Sequence, residues 1–503
     1  MAYVGNSPAL KYASFAVQHF TTSATTTYTL DHAVANENDI RLVINNVIQQ
    51  PGSGKAYTAS ATTLTLSAAT AGTDTMYCVF LGKAVQTVVP PAGSVTGSTL
   101  ADDVISAQSA LGAAPADTDE FLVSDSGTLK RVDYSYLKST VVNRPNAQPI
   151  IINGDCSVSQ RTTSTTGVTS TTYGAVDRIQ LVNNSMGTYT VAQESLTSGA
   201  AYEAGFHNAW RIDCTTADSS PAAGDVLYPR YKIESQDLSI FRKGTSSAQS
   251  FTIAFWVKSN KTGNAQVNFY DIDNTRLCAG TYSISSANTW EHKVINIAAD
   301  TTGAWADDNG EGLRIEWRLD SGSDSTSGTT PTAWEAQNAA DRDVAGQLQI
   351  ARHTDNDWAI TGIQLEVGEY TSSTLPPFQH ESYGDNLLRC QRYFQNIADG
   401  TDKAIGMGQY WEAQEFIGHR VLSTVMRTTP TLEYVTSTGY YAVLRDGGAD
   451  ALDALTISSS PSSSSMISWY VASAQGLASN TKNRPGFFRT QNSSSKVGFT
   501  AEL

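Results

Sequence analysis

Residues Trp358 to Val367 read WAITGIQLEV, and this run limits the folds open to the chain more than any other stretch. Trp358, Ile360, Gly362, Gln364 and Glu366 alternate with Ala359, Thr361, Ile363, Leu365 and Val367. A period of two sends successive side chains to opposite faces, so the segment is predicted to be a strand, and its apolar content sets it deep in a sheet. Gly368 and then Pro376 and Pro377 end the pattern, because proline offers no backbone donor to a ladder. After Gly384 the period becomes helical over Leu387, Leu388, Cys390 and Gln391, which predicts a domain change near residue 383.

A chain of 503 residues holds several cores of ordinary size. Only 16% of its residues are charged, and Ser, Thr, Gly and Ala are abundant, a composition that suits β-structure with many turns. The formal charge of -15 leaves no basic field for a phosphate backbone, which argues against nucleic acid as a partner. Cys78, Cys156, Cys214, Cys278 and Cys390 are odd in number and widely spaced, so reduced, mostly buried thiols are expected. Neither a signal peptide nor an 18-residue apolar run is found, so a cytosolic chain without membrane insertion is expected.

Four strand-like runs in residues 1–92, Tyr12–Phe20, Ile40–Gln49, Tyr57–Leu66 and Met76–Val89, predict an antiparallel β-domain. The loop PGSG before Lys55 lacks the Ser or Thr and the glycine spacing of a phosphate-binding loop and reads as a turn. Residues 93–149 have linker composition. Leu100, Val104, Ala107 and Leu111 there fit either a short coiled-coil seam or an amphipathic helix lying on a neighbour, and DEFLVSDSGTLKRVDYSYL reads as a hairpin. Residues 150–383 show repeated short strands between Ser/Thr/Gly/Asn-rich turns, as a two-sheet sandwich or jelly roll would. Residues 384–503 read as a small β-domain with strands at Trp411–Phe416, Thr431–Val435, Tyr440–Leu444, Met466–Ser473 and Lys496–Glu502.

The wording W-x-I-x-G-I-Q-L-E-x-G, P-F-x-x-x-S-Y-G and C-Q-R-Y-F across Trp358 to Phe394 resembles a seam near the C-terminal end of tailed-bacteriophage tail-fibre proteins. INNVIQQPGSGKAYTASATTLTLSAATAGTDTMYCVFLG is similar to their N-terminal domain, IINGDCSVSQR to the start of a fibre module, and KVGFTAEL to a terminal strand of their tip domains. FTIAFWVKSN resembles a central strand of carbohydrate-binding jelly rolls. The resemblance implies a mainly β, elongated, multi-domain homotrimer in the virion tail. Its residues 1–92 would be held by other tail proteins, the linker seam would join the three copies, and the jelly roll and tip would meet a host surface glycan or outer-membrane receptor.

Tests for chemistry favour binding over catalysis. No H-E-x-x-H or G-x-S-x-G is present. Glu316 could be paired with Asp271 or Asp320 as glycosidase carboxylates, but Arg314 and Arg318 flank it on one strand face, where ion pairing is the simpler expectation. A depolymerase tailspike and a free adhesin are the alternatives to a fibre. Asp271, Asp273 and Asn274 are weak calcium candidates, without the glycine and terminal glutamate of an EF-hand loop, and no cofactor is expected. Aromatic rings stack on sugars while amides and carboxylates bond the hydroxyls. On that ground Trp305 with Asp307, Asp308 and Asn309, and Trp334, are the glycan candidates of the sandwich. Tyr440 and Tyr441 are those of the tip, which is favoured for host specificity. Trp256, Trp317 and Trp358, on strands, are expected in the core.

Overall fold

Short strands, broken at intervals by bulges, build both units of the chain; those of the first unit alternate buried and exposed residues, whereas central strands of the second, such as Asp357–Val367, are buried on both faces. The computed structural model describes residues 15–81, 107, 109–113, 115–140, 148–458, 462–471, 477 and 482–503. Its two units are Met1–Ala114 and Pro115–Leu503.

In the first unit, β1 (Val17–Phe20), β3 (Ile40–Ile44), β4 (Val47–Ile48) and β6 (Met76–Phe80) form a sheet ordered β1-β6-β3-β4, while β2 (Thr27–Val34) pairs with β5 (Tyr57–Leu66). Leu30, Leu42, Leu64 and Cys78 lie in their common core. Strand β2 escaped the sequence reading because Thr27, Thr29 and Asp31 dilute its apolar residues. The PGSG stretch is a turn whose amides serve the chain itself: Gly52 N donates to Tyr57 O and Lys55 N to Gly52 O. Leu100 and Val104 lie outside the described residues. Ala107 and Leu111 are exposed, and residues 109–113 run as irregular chain with Gly112 at φ +70, so the expected helix does not include Leu111.

The second unit opens with the hairpin β7 (Glu120–Asp125) and β8 (Thr128–Asp133). Ser126 and Gly127 turn it with positive φ at both positions, a geometry whose twist matches that of the strands. The sandwich follows, with thirteen strands in order. These are β9 (Ser164–Val168), β10 (Ile179–Asn184), β11 (Thr188–Ser195), β12 (Asn208–Thr216), β13 (Val226–Glu234), β14 (Phe251–Ser259), β15 (Gly263–Asp271), β16 (Arg276–Ile284), β17 (Glu291–Ile297), β18 (Glu311–Arg318), β19 (Asp320–Ser321), β20 (Glu335–Ala336) and β21 (Asp357–Val367). One sheet is ordered β17-β14-β21-β12-β11-β9; the other is β10-β13-β18-β15-β16-β20, with β19 on β13. Trp210, Trp317, Trp358, Phe255 and Phe269 fill the core that the two sheets share. Burying such rings dominates the stability of the sandwich.

Strict alternation fails in the middle of β21. Ala254 pairs with Gln364 but Trp256 with Thr361, so Gly362 and Ile363 together oppose Phe255. This β-bulge turns Ile363, Leu365 and Val367 to the core beside Trp358 and Ile360, and leaves Ala359, Thr361, Gln364 and Glu366 on the outer face. The expected grouping of Trp358 with Gln364 and Glu366 on one face is thereby corrected.

The tip module begins with a helix, Tyr383–Cys390, capped by Ser382, whose Oγ accepts from Asp385 N. Strands β22 (Phe394–Asp399), β23 (Ala404–Glu412), β24 (Glu415–Val421), β25 (Thr431–Tyr434), β26 (Tyr441–Arg445), β27 (Gly448–Leu452), β28 (Met466–Val471), β29 (Pro485–Thr490) and β30 (Lys496–Thr500) make two sheets, β22-β30-β25 and β27-β26-β29-β23-β24-β28. Trp411–Phe416, expected as one strand, is instead the end of β23, a turn and the start of β24. Trp469, Phe488 and Phe499 lie in the tip core.

Sandwich and tip are joined by charges stacked on rings. Arg178 lies 3.3 Å over the Tyr393 ring and gives its Nη1 to Glu502 Oε2 at 2.5 Å; Arg161 lies 3.7 Å over Phe394 and bonds Glu433. Glu234, fully buried, accepts from Arg392 and from Tyr393 Oη at 2.6 Å. Burial pushes the Glu234 carboxyl up, but the Arg392 and Tyr393 donors outweigh it and hold it below the usual range.

Candidate functional site

Beside its core, the sheet β17-β14-β21-β12-β11-β9 has an outward face, and the Gly362 bulge shapes it. Gly362 has φ +61, and a Cβ there would stand 2.7 Å from Phe206 Cζ and 3.0 Å from Trp256 Cδ1. Only glycine meets both demands, so Phe206 and Trp256 can close in on bare backbone. Trp256 stacks on His292 of the neighbouring strand, with centroids 4.9 Å apart and planes at 30°. Phe206 meets Phe378 edge to face at 4.8 Å, and His380 rests against both. Gln364 Nε2 donates to Glu366 Oε1 at 2.9 Å and to Pro376 O at 2.8 Å, tying the Pro376-Pro377 loop over the sheet.

These residues enclose a groove of about 300 Å³, lined by Phe206, Trp256, His292, Gly362, Gln364 and Phe378. Burial holds the His292 imidazole below its usual pKa, so the ring is neutral at pH 7. Cations on the same face are already paired: Lys258 with Glu194 at 3.0 Å and Arg211 with Asp357 at 3.0 Å. An aromatic wall beside a neutral imidazole can stack on and bond an uncharged sugar, while Gln364 spends both Nε2 hydrogens on holding the loop. Sequence reasoning set Trp256 in the core with Trp317 and Trp358. Those two are fully buried, whereas Trp256 is half-buried in the groove. A glycine inside a strand pattern was the available signal, since it marks a bulge or a close approach.

Trp305 and Trp334, far apart in sequence, come together around one lysine. Lys243 Nζ lies 5.5 Å from the Trp305 ring and 5.4 Å from the Trp334 ring. The same ammonium bonds Asp271 Oδ2 at 2.6 Å, Asp300 Oδ2 at 3.1 Å, Thr302 O at 2.9 Å and Gly303 O at 2.6 Å. Burial raises the Asp300 carboxyl, but Arg276, the Thr302 amide and Lys243 hold it below the usual range. Both tryptophans are half-buried against the sandwich core, and Trp334 Nε1 donates to Ala298 O. They serve as lids of the cage more than as open platforms.

The three calcium candidates do not converge. Asp271 binds Lys243; Asp273 Oδ2 accepts from Ser235 Oγ and Ala306 N; Asn274 Nδ2 donates to Asp271 and Ala304 O. Among the described residues, no three His, Cys, Asp or Glu side chains gather as a metal would require. Asp307 and Asp308 are exposed, but Asn309 is engaged by the tip, giving Nδ2 to Arg427 O and accepting Arg427 Nη1.

At the tip, Tyr440 is half-buried and Tyr441 is fully buried, its Oη donating to Val435 O at 2.6 Å. Tyr441 is therefore a core residue and presents no face to a sugar; neighbours in a strand must point to opposite sides. Outward aromatics of this module among the described residues are Tyr383 on its first helix, Phe487 and Trp411, the last 57% exposed. Glu316 is fully buried and held by Arg342 at 2.5 Å, with Arg318 and Arg314 at 3.7 and 3.9 Å. Burial raises its carboxyl, and the three guanidinium groups more than reverse that, so it stays ionised as a structural anion.

No family model matches the chain, and no curated protein matches it. Among solved structures, the enzymatically active domain of bacteriophage CBA120 tailspike protein 4 aligns at 12% identity and TM-score 0.23, covering 44% of this chain and 21% of that one. A sugar-binding protein from Bacteroides thetaiotaomicron, named putative, aligns at 15% identity and TM-score 0.23, over 44% of this chain and 100% of its own. The family 11 carbohydrate-binding module of Clostridium thermocellum, in complex with a β-1,3-1,4-mixed-linked tetrasaccharide, aligns at 10% identity and TM-score 0.20, over 41% and 97%. Likenesses at this level transfer no residue roles to the present chain, which spans about a fifth of the tailspike's length.

Proposed function

We propose that this chain is a non-enzymatic tail-fibre protein of a tailed phage, located in the virion tail, trimeric, held by other tail proteins through its N-terminal unit and adsorbing to the host cell through its sandwich and tip. The observation that carries the glycan-binding part is the Trp256–His292 groove, an aromatic wall with an imidazole beside it and with Lys258 and Arg211 of its face paired. The sequence wording at Trp358 to Phe394 supports the fibre assignment. Glu316, neutralised by three arginines, supports binding over hydrolysis. The test is adsorption of host cells by the purified protein and by Trp256→Ala, with a reducing-end assay on the same cell-surface polysaccharide. Loss of at least tenfold in adsorption, without new reducing ends, is expected; unchanged adsorption or progressive release of reducing ends sinks the reading.

A further inference from the structure

The outer face of the six-stranded tip sheet carries several exposed apolar side chains. Register sets Leu444, Phe487, Met407 and His419 side by side across β26, β29, β23 and β24. Two residues further along β23 stands Gln409, and Trp411 follows on the same side. Met407 is 70% exposed, Val421 75% and Trp411 57%. From β26 to β28 the face spans roughly 19 Å, and from Val421 to Trp411 roughly 20 Å, given strands about 4.8 Å apart and about 3.4 Å per residue.

We infer that this face is a docking surface for an uncharged saccharide chain, an inference that rests on the receptor-binding reading above and names where and what the tip would bind. Its area, about 400 Å², is half of the ~800 Å² per partner that a stable protein interface buries, which favours a narrow ligand over a second copy of the chain. Its chemistry alternates stacking surface with hydrogen-bonding groups: the Gln409 amide lies between Met407 and Trp411, and the His419 ring, with Nδ1 engaged by Ser468 Oγ at 2.9 Å, lies beside Met407. At its margin Lys482 pairs with Glu412 at 2.7 Å and Arg489 with Asp402. Such a face suits neutral sugars over uronates or phosphates. Residues 384–503 hold ten basic and ten acidic residues, so the module meets an anionic cell surface without net repulsion.

The experiment is an array of lipid-free bacterial O-polysaccharides with neutral and anionic repeats, probed with the full chain and with Trp411→Ala, Met407→Thr and Trp256→Ala. Trp411 is exposed, so its replacement should leave the melting temperature unchanged and the fold is not at stake. Trp411→Ala and Met407→Thr are each expected to lower signals on neutral repeats at least tenfold with unchanged mass by light scattering. Neutral-repeat signals that survive both variants, binding confined to anionic repeats, no binding by the parent chain, or a fall in mass on Trp411→Ala overturn the inference, the last by showing that copies meet there. Loss with Trp256→Ala alone leaves the groove reading standing and removes this one; loss with the tip variants alone does the reverse.

Discussion

On the sandwich, Trp256 stands in a groove closed by the Pro376-Pro377 loop and by backbone that has no Cβ at Gly362; on the tip, Trp411 stands on open sheet, 57% exposed. The groove confines a ligand between walls and fixes its orientation, at the cost of a bulge and a positive φ. The tip face offers area and tolerance. Charge separates them further: residues 150–383 carry fifteen basic and twenty-seven acidic residues, against an even balance in the tip. A strongly acidic module is repelled by an anionic envelope until short-range contacts take over, whereas the neutral one is free to approach first.

The comparison presumes that both regions fold as one body, and Glu502 is where that breaks most sharply. Glu502→Ala leaves Arg178, 2% exposed, without its carboxylate, and a loss of about 3–5 kcal/mol is expected. Calorimetry should show one transition splitting into two; a single unshifted transition would mean that the two regions do not depend on this joint. Gly362→Ala acts on the groove alone. Positive φ and the 2.7 Å approach to Phe206 make a loss of about 2–3 kcal/mol the expectation, with groove binding gone and array signals from the tip intact. If both sets of signals vanish together, the two faces are not independent sites.

A smaller effect concerns pH. Burial pushes the carboxyls of Asp177 and Asp343 up to about 6, above the ~3.9 of an unfolded chain. A raised carboxyl pKa means that the folded state holds its proton more tightly, so these groups add stability as pH falls from about 7 towards 4. The double variant Asp177→Asn/Asp343→Asn should lack that contribution, of the order of 3 kcal/mol for the pair, in urea titrations compared between pH 7.5 and 5. Parallel pH profiles for parent and variant would remove the effect.

Mainly β architecture, the sandwich strands and the helix after Ser382 were legible because period-two and helical patterns are local. Faces were less so. A single bulge at Gly362 inverts the side of everything after it, and the register of a strand decides every side chain at once. Tyr440 and Tyr441 show the same limit: Tyr441 opens a strand and is fully buried, while Tyr440, just before it, packs half-buried against the same core, an outcome that packing and not spacing decides. Trp305 and Trp334 were read as separate loop aromatics; their meeting over Lys243 depends on long-range topology that no spacing in the chain encodes.

That lysine gives the loop after Asp300 an unusual kind of permanence. A loop organised by a free metal ion is ordered only in the fraction of molecules that mass action fills, and dilution or a chelator empties it. Here the positive charge is carried on the chain and shares its concentration, so the loop has no binding midpoint to fall below. The protein would keep the Trp305 and Trp334 lids in place equally in hard water, soft water and citrate.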